Sequence, residues 1–195
     1  MTMYPYGLKV STPYKVEEVK RIYNAFGDLI LSEPGNYEVY CTGDTYIHHN
    51  IIEGLTHITC ITSEDDIEIS IRCSGETYDD AVADIYHKIV AKNKNIKSKI
   101  ECKGVSNDQS RIIYRSSLLA EEGSTGSGNQ KAKFLLLSDT AEIDAEPSLD
   151  IASQNFPTSH SVGISNIDQM KMWYMFIRGY GKEEASNKIV EGFLN

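Results

Sequence analysis

His160 lies in the run Thr158-Ser159-His160-Ser161 between Pro157 and Gly163, where strand-like sequence gives way to a helical tail. A neutral imidazole can ligate a metal or move a proton near physiological pH, and junctions are where loops place such groups on a rigid support. A Ser/His nucleophile is not supported, because the flanking serines are immediate neighbours and no Gly-x-Ser-x-Gly elbow occurs. Cys41, Cys60, Cys73 and Cys102 show none of the two-to-four-residue spacings of zinc or cluster ligands, so no local metal site is encoded. Lone cysteines in strand sequence read as small buried hydrophobes. His48 and His49 are adjacent in a strand and must point to opposite faces. His57 at a strand edge and His87 on a helix read as ordinary histidines. Glu142, Asp144, Glu146 and Asp150 could supply a glycosidase-like carboxylate pair, although alternation on a wet strand face also accounts for them. The Gly123–Gln130 stretch has two glycines five apart, yet Asn129 stands where a phosphate-binding loop needs Lys, so it reads as an exposed, mobile loop.

The chain has 195 residues, 41% of them apolar, and a formal net charge of −9, enough for a real core and unfavourable for nucleic acid. The lysine cluster Lys88–Lys103 lacks the arginine forks and aromatics that base reading uses. No run approaches the ~20 apolar residues of a membrane span, and the N-terminus lacks a signal pattern, so a cytoplasmic protein with reduced thiols is expected.

These residues must be positioned by the elements the periodicity implies. Val16, Val19, Ile22, Tyr23 and Phe26 have helical spacing, giving residues 1–36 a short helix. Strands are expected over Tyr37–Cys41, Tyr46–Ile52, His57–Thr62 and Ile67–Cys73, the last with strict alternation. Tyr78, Ala81, Val82, Ile85, Ile89 and Val90 behind Thr77 suggest a helix over 76–93. Strands resume at Ile96–Cys102, Ser110–Leu119, Ala132–Leu137, Ala141–Ile143 and Ser148–Ile151. Asn166 as cap, with Gln169 three positions on, opens a helix ending at Gly179, and a second follows from Lys182 to about Phe193. The short link between them requires a hairpin. The expected organisation is thus 1–36, a β core over 37–155 with a helix inserted at 76–93, and a helical segment over 156–195.

The run Leu135–Ile151, with its triple Leu-Ser and Ala-Glu-Ile-Asp followed by Pro147-Ser148-Leu149, closely resembles a stretch of the SufB/SufD family of iron–sulfur cluster assembly scaffolds. Further blocks follow in the same order: Ser159-His160 with Val162-Gly163, Asp168-Gln169 through Arg178-Gly179-Tyr180, and Glu183-Glu184-Ala185 with Ile189–Phe193. Upstream, Lys103-Gly104-Val105-Ser106 and Tyr114-Arg115 are similar to further family marks. The resemblance covers roughly Ile96–Asn195.

What the resemblance implies is a mainly β fold: a right-handed parallel β-helix core with a C-terminal helical hairpin, beside one or two helices from the pattern of the N-terminal half. It implies a non-catalytic scaffold that pairs with a SufB/SufD-type subunit, as homodimer or heterodimer, and binds a SufC-type ABC ATPase through Trp173, Met175, Phe176 and Arg178. His160 falls on the family histidine near the subunit interface. Nothing is expected to bind tightly, and iron or an iron–sulfur cluster would be held transiently in the complex. Where SufB has an interface cysteine after a Gln, this chain has Lys131-Ala132, which makes it SufD-like. The residue after the histidine is Ser161 instead of Glu. A regulatory paralogue without assembly activity and a β-helix carbohydrate-active enzyme are the alternative readings.

Overall fold

Short polar residues that tolerate left-handed backbone mark the corners of the chain. Asp66, Asp79, Asn95 and Asp108 have φ of 59, 56, 55 and 51°, values Asx side chains reach through local hydrogen bonds. They form two columns. Asn95 Nδ2 donates to Asp66 Oδ1 at 2.7 Å, and the Asp79 N–H donates to Asp108 Oδ2 at 3.1 Å, each across a separation of 29 residues. Between corners the chain runs straight, and each pass lies beside the pass one turn earlier.

The computed structural model describes residues 2–3, 9–10 and 18–195. Strands β1 (Thr2–Met3) and β2 (Lys9–Val10) pair antiparallel. The next two, β3 (Val19–Leu31) and β4 (Gly35–Asn50), are long and bent, and each forms a turn alone. Four two-stranded turns follow: β5 (Gly54–Thr62) with β6 (Glu68–Thr77), β7 (Val82–Ala91) with β8 (Ile96–Ser106), β9 (Arg111–Ala120) with β10 (Gly126–Leu136), and β11 (Glu142–Ile151) with β12 (Thr158–Asn166). All pairing from β3 onward is parallel. The first half of β4 continues into the stack β5-β7-β9-β11, and its second half into β6-β8-β10-β12. The fold is a parallel β-solenoid.

Alternation in each strand sends every second side chain inward, where equivalent positions stack in ladders. Val39, Cys60, Ile89 and Leu118 form one ladder, and Ile47, Ile71 and Ile100 another, all 0% exposed. Each such isoleucine contributes about 1.5–3 kcal/mol of hydrophobic burial. Gly126, at φ +148°, opens β10 where an added Cβ would overlap the Ile96 carbonyl, so the backbones of two turns touch there.

Several sequence expectations are corrected. The helix expected over 76–93 is β7: its inward positions are Ala83, Ile85, His87, Ile89 and Ala91, and the polar His87 broke the apolar period of two and left a spurious period near four. The N-terminal helix is likewise absent among the described residues, since β3 occupies Val19–Leu31 with Tyr23, Phe26 and Ile30 exposed at the first turn. Val16 lies outside the described residues. The stretch taken for a mobile loop contains the start of β10, whose Gly126–Gln130 lies in register with Ile96–Ile100. The strands expected at 141–143 and 148–151 are one strand, Glu142–Ile151, and Pro147 is tolerated because β11 is an edge strand.

Helix α1 (Gln169–Ile177) is capped by Asp168, whose carboxylate accepts from the Met170 N–H at 2.9 Å, rather than by Asn166. Gly179, at φ +88°, ends it, and α2 (Lys182–Leu194) returns antiparallel as expected. Val190, Phe193 and Leu194 of α2 pack on Val105, Leu135 and Leu137 at the ends of β8 and β10. No helix among the described residues is long and apolar enough to cross a membrane.

Candidate functional site

One inward ladder is polar. His49 on β4, Cys73 on β6 and Cys102 on β8 occupy equivalent positions on successive turns, followed by Ala132 and Val162. From the opposite wall His87 on β7 reaches across, and His49 Nε2 and His87 Nε2 lie 2.6 Å apart. His49 Nδ1 faces the Asn50 carbonyl at 3.2 Å, which makes Nδ1 the protonated nitrogen and leaves Nε2 to accept from His87. His87 Nδ1 then has no hydrogen-bond partner, although it is buried. The ring edges of Tyr114 and His49 close around His87, with centroids 5.5 and 4.8 Å away.

Burial sets the protonation of this cluster. It lowers the His49 imidazole to about 4, the Asn50 carbonyl only partly opposing it. Burial likewise pushes His87 well below its ordinary 6.5, helped by the neighbouring histidines, and pushes the Cys73 thiol well up, helped by Cys102. At neutral pH the cluster holds neutral imidazoles and a neutral thiol. The ligating atoms of His49, Cys73 and His87 all lie within 4.8 Å of one another. His49, Cys73 and Cys102 also line a surface groove of about 980 Å³, together with charged residues of both signs that include Asp28, Arg72 and Glu101.

The ladder next to it ends at His160. Ile47, Ile71, Ile100, Gln130 and His160 are equivalent positions on successive turns. Gln130 is held between the walls, accepting from Ser116 Oγ at 2.5 Å and donating to the Ser148 carbonyl at 2.8 Å. His160 sits one turn further, on β12 rather than on a junction loop, and is exposed because no turn follows it. β11 and β12 therefore present free main-chain edges, with Ile164 also uncovered at this end.

The terminal hairpin follows β12 in the chain, and its first helix carries exposed apolar side chains. No α1 residue is buried, and Met170, Trp173 and Ile177 are 70, 62 and 66% exposed. Phe176 is exposed, Met175 is half-buried, and Arg178 stacks its guanidinium 4.2 Å over the Tyr174 ring. Contiguous exposed aromatics with a stacked Arg are the composition of binding hot spots. The acidic residues weighed as a carboxylate pair are engaged otherwise: Asp144 pairs with Arg115 at 2.7 Å, Glu146 with Arg115 at 3.4 Å, and Glu142 with Arg111 at 3.4 Å.

Residues 50–193 match the family described as SUF system FeS cluster assembly, SufBD core domain. The chain belongs to the SufB/SufD family. It is 32% identical over 92 residues to the iron-sulfur cluster assembly protein SufD of Bacillus subtilis, covering 47% of this chain and 21% of that protein. It is 30% identical over 112 residues to a SufBD family protein of Galdieria sulphuraria, covering 57% and 51%. A SufBD family protein of Methanothermobacter thermautotrophicus is 28% identical over 116 residues, covering 60% and 28%. The chain thus spans about a fifth to a half of these curated relatives.

Within this SufB/SufD chain the structure separates two groups that sequence spacing treated differently. His160 and the hairpin residues were singled out; His160 lies on the last turn of the stack, while the hairpin follows that turn and rests its second helix on the ends of β8 and β10. The His49, Cys73, Cys102 and His87 cluster was missed, because its members come from four strands and no short-range spacing records them. The separation of 29 residues between Cys73 and Cys102, equal to that between stacked corners, was the one available signal.

Proposed function

We propose that this chain is a SufD-like scaffold subunit that assembles iron–sulfur clusters only in company. Trp173, Met175 and Phe176 of α1, with its C-cap Arg178, bind a SufC-type ABC ATPase, and the free edges of β11 and β12 pair with a second SufB/SufD-type subunit. His160 then lies at the seam, where its imidazole offers one ligand to iron or to a nascent cluster that the partner subunit's thiolates complete. ATP hydrolysis falls to the partner: Asn129 stands where a nucleotide-binding loop needs Lys, and Gly126–Gln130 is a strand. Nucleotide-driven motion of the ATPase is transmitted through α2, whose Val190 and Phe193 rest on the ends of β8 and β10. That transmission requires contacts that differ between the two ATPase states.

The observation that carries this reading is α1, which buries no residue and leaves Met170, Trp173, Phe176 and Ile177 exposed, in a chain whose stack ends in strand edges that are unpaired among the described residues. Titrating the chain with a purified SufC-type ATPase tests it. Binding that weakens at least about 10-fold in Trp173→Ala, the loss of a typical hot-spot contact, supports the reading. No binding at about tens of micromolar, an affinity weaker than about −6 kcal/mol, rejects it. His160→Ala should fold normally and lower the cluster yield of the reconstituted complex. An unchanged yield assigns His160 a structural role only.

A further inference from the structure

We propose that His49, Cys73 and His87, with Cys102 as fourth donor, form an internal site for a thiophilic divalent transition cation, for which Zn²⁺ and Co²⁺ are the probes. The donors come from opposite walls of the solenoid, so a bound ion cross-links β4, β6 and β8 to β7. This site is separate from His160 and the α1 face, and it does not depend on the scaffold reading.

Two imidazoles and two thiols make the donor set of closed tetrahedral zinc sites. Tetrahedral coordination at about 2.0–2.1 Å from each nitrogen places the two nitrogens about 3.3 Å apart. The present separation is 2.6 Å, so the rings need part by less than the width of an atom. The supporting groups also fit. His49 is already locked with Nε2 facing the cluster by the Asn50 carbonyl on Nδ1, the arrangement that orients ligating histidines. His87 is buried and, among the described residues, the His49 contact is the one hydrogen bond of its ring, so an ion that takes Nε2 displaces that single contact. Cys102 stands in register with Cys73 on the next turn and touches its thiol.

Binding exchanges protons for the cation. Cys73 and Cys102 each lose a thiol proton to solvent, both histidines stay neutral, and the proton on His87 Nε2 moves to Nδ1 to free the lone pair. Charge balances at one M²⁺ for two H⁺, and no electron is transferred. Because the donors are interior, loading accompanies folding, as in other closed sites.

The test refolds the full chain from denaturant with reductant and Co²⁺, checks the fold by circular dichroism, and reads absorbance. One equivalent of Co²⁺ should give a thiolate-to-cobalt charge-transfer band with tetrahedral visible bands, and Zn²⁺ should displace it. Cys73→Ser should weaken binding at least about 10-fold, the scale known for the loss of mere outer-shell partners, and Cys73→Ser/Cys102→Ser should abolish the charge-transfer band. His48→Gln, on the outer face of the same strand, should leave it intact. The proposal is overturned if refolded wild-type chain shows no such band, which leaves a simple hydrogen-bonded histidine pair. It is equally overturned if the band survives in the double serine variant, which places the cation elsewhere.

Discussion

Mild acid should destabilise the metal-free chain before its carboxylates protonate, because His49 and His87 are buried as neutral imidazoles. The His49 imidazole sits at about 4 in the folded chain against an ordinary 6.5. As pH falls below 6.5, the unfolded chain takes up protons here that the folded chain refuses. The stability is therefore fully present above that value and is lost as pH drops towards 4. Between pH 7.5 and pH 5 the loss from His49 alone is about 2 kcal/mol, and His87 is shifted in the same direction and adds to it. Against a total stability of about 5–15 kcal/mol this is readily measured. The groups around the pair are Cys73, Cys102 and Tyr114, with His57 and Asp84 on the neighbouring side of the β5–β7 wall. Urea unfolding with chelator and reductant at several pH values is the assay, and the midpoint should fall by about 1 M at pH 5. His49→Gln keeps an acceptor for His87 and should remove about 2 kcal/mol of the pH-dependent loss. Equal wild-type midpoints at pH 7.5 and 5, or an unaltered pH dependence in His49→Gln, would refute the burial account.

Phe134→Ala should cost about 3–5 kcal/mol in chemical denaturation, since the ring is 1% exposed and fills the space left by Gly104 against Tyr114. Gly126→Ala should sharply lower the yield of folded chain in expression and refolding trials, because the new Cβ meets the Ile96 carbonyl and strains a positive φ. Arg115→Met should cost about 2–3 kcal/mol in denaturation midpoints, since Nη1 now bonds the Tyr114 and Asp144 carbonyls, each at 2.9 Å. Trp173→Ala should leave thermal stability within about 0.5 kcal/mol of wild type, while it weakens ATPase binding.

Legibility from sequence followed locality. The hairpin was readable because its stripe of Ala185, Val190 and Phe193 is short-range and its link is tight. Ile67–Cys73 was readable because isoleucine alternates with polar residues along it. β7 was misread because its inward face includes His87 and its outward face buries Asp84 under neighbouring side chains, so neither face looked like itself. β12 reads as a junction because its inward positions Thr158 and His160 are polar, at a turn that no further strand covers among the described residues. The resemblance to SufB and SufD compensated for this, since its blocks fall on β8 to α2, where the turns are regular. The internal cluster was invisible because stacking, not sequence distance, creates it.

The register also shows that the turns are unequal. Val19 lies opposite Asn36 and Gly35 opposite Thr56, offsets of 17 and 21 residues, whereas Val82 lies opposite Arg111 and Arg111 opposite Glu142, offsets of 29 and 31. From β5 onward the step is constant at 29–31 residues, so corners there stack in columns, whereas the turns of β3 and β4 have a shorter circumference and enclose fewer core side chains.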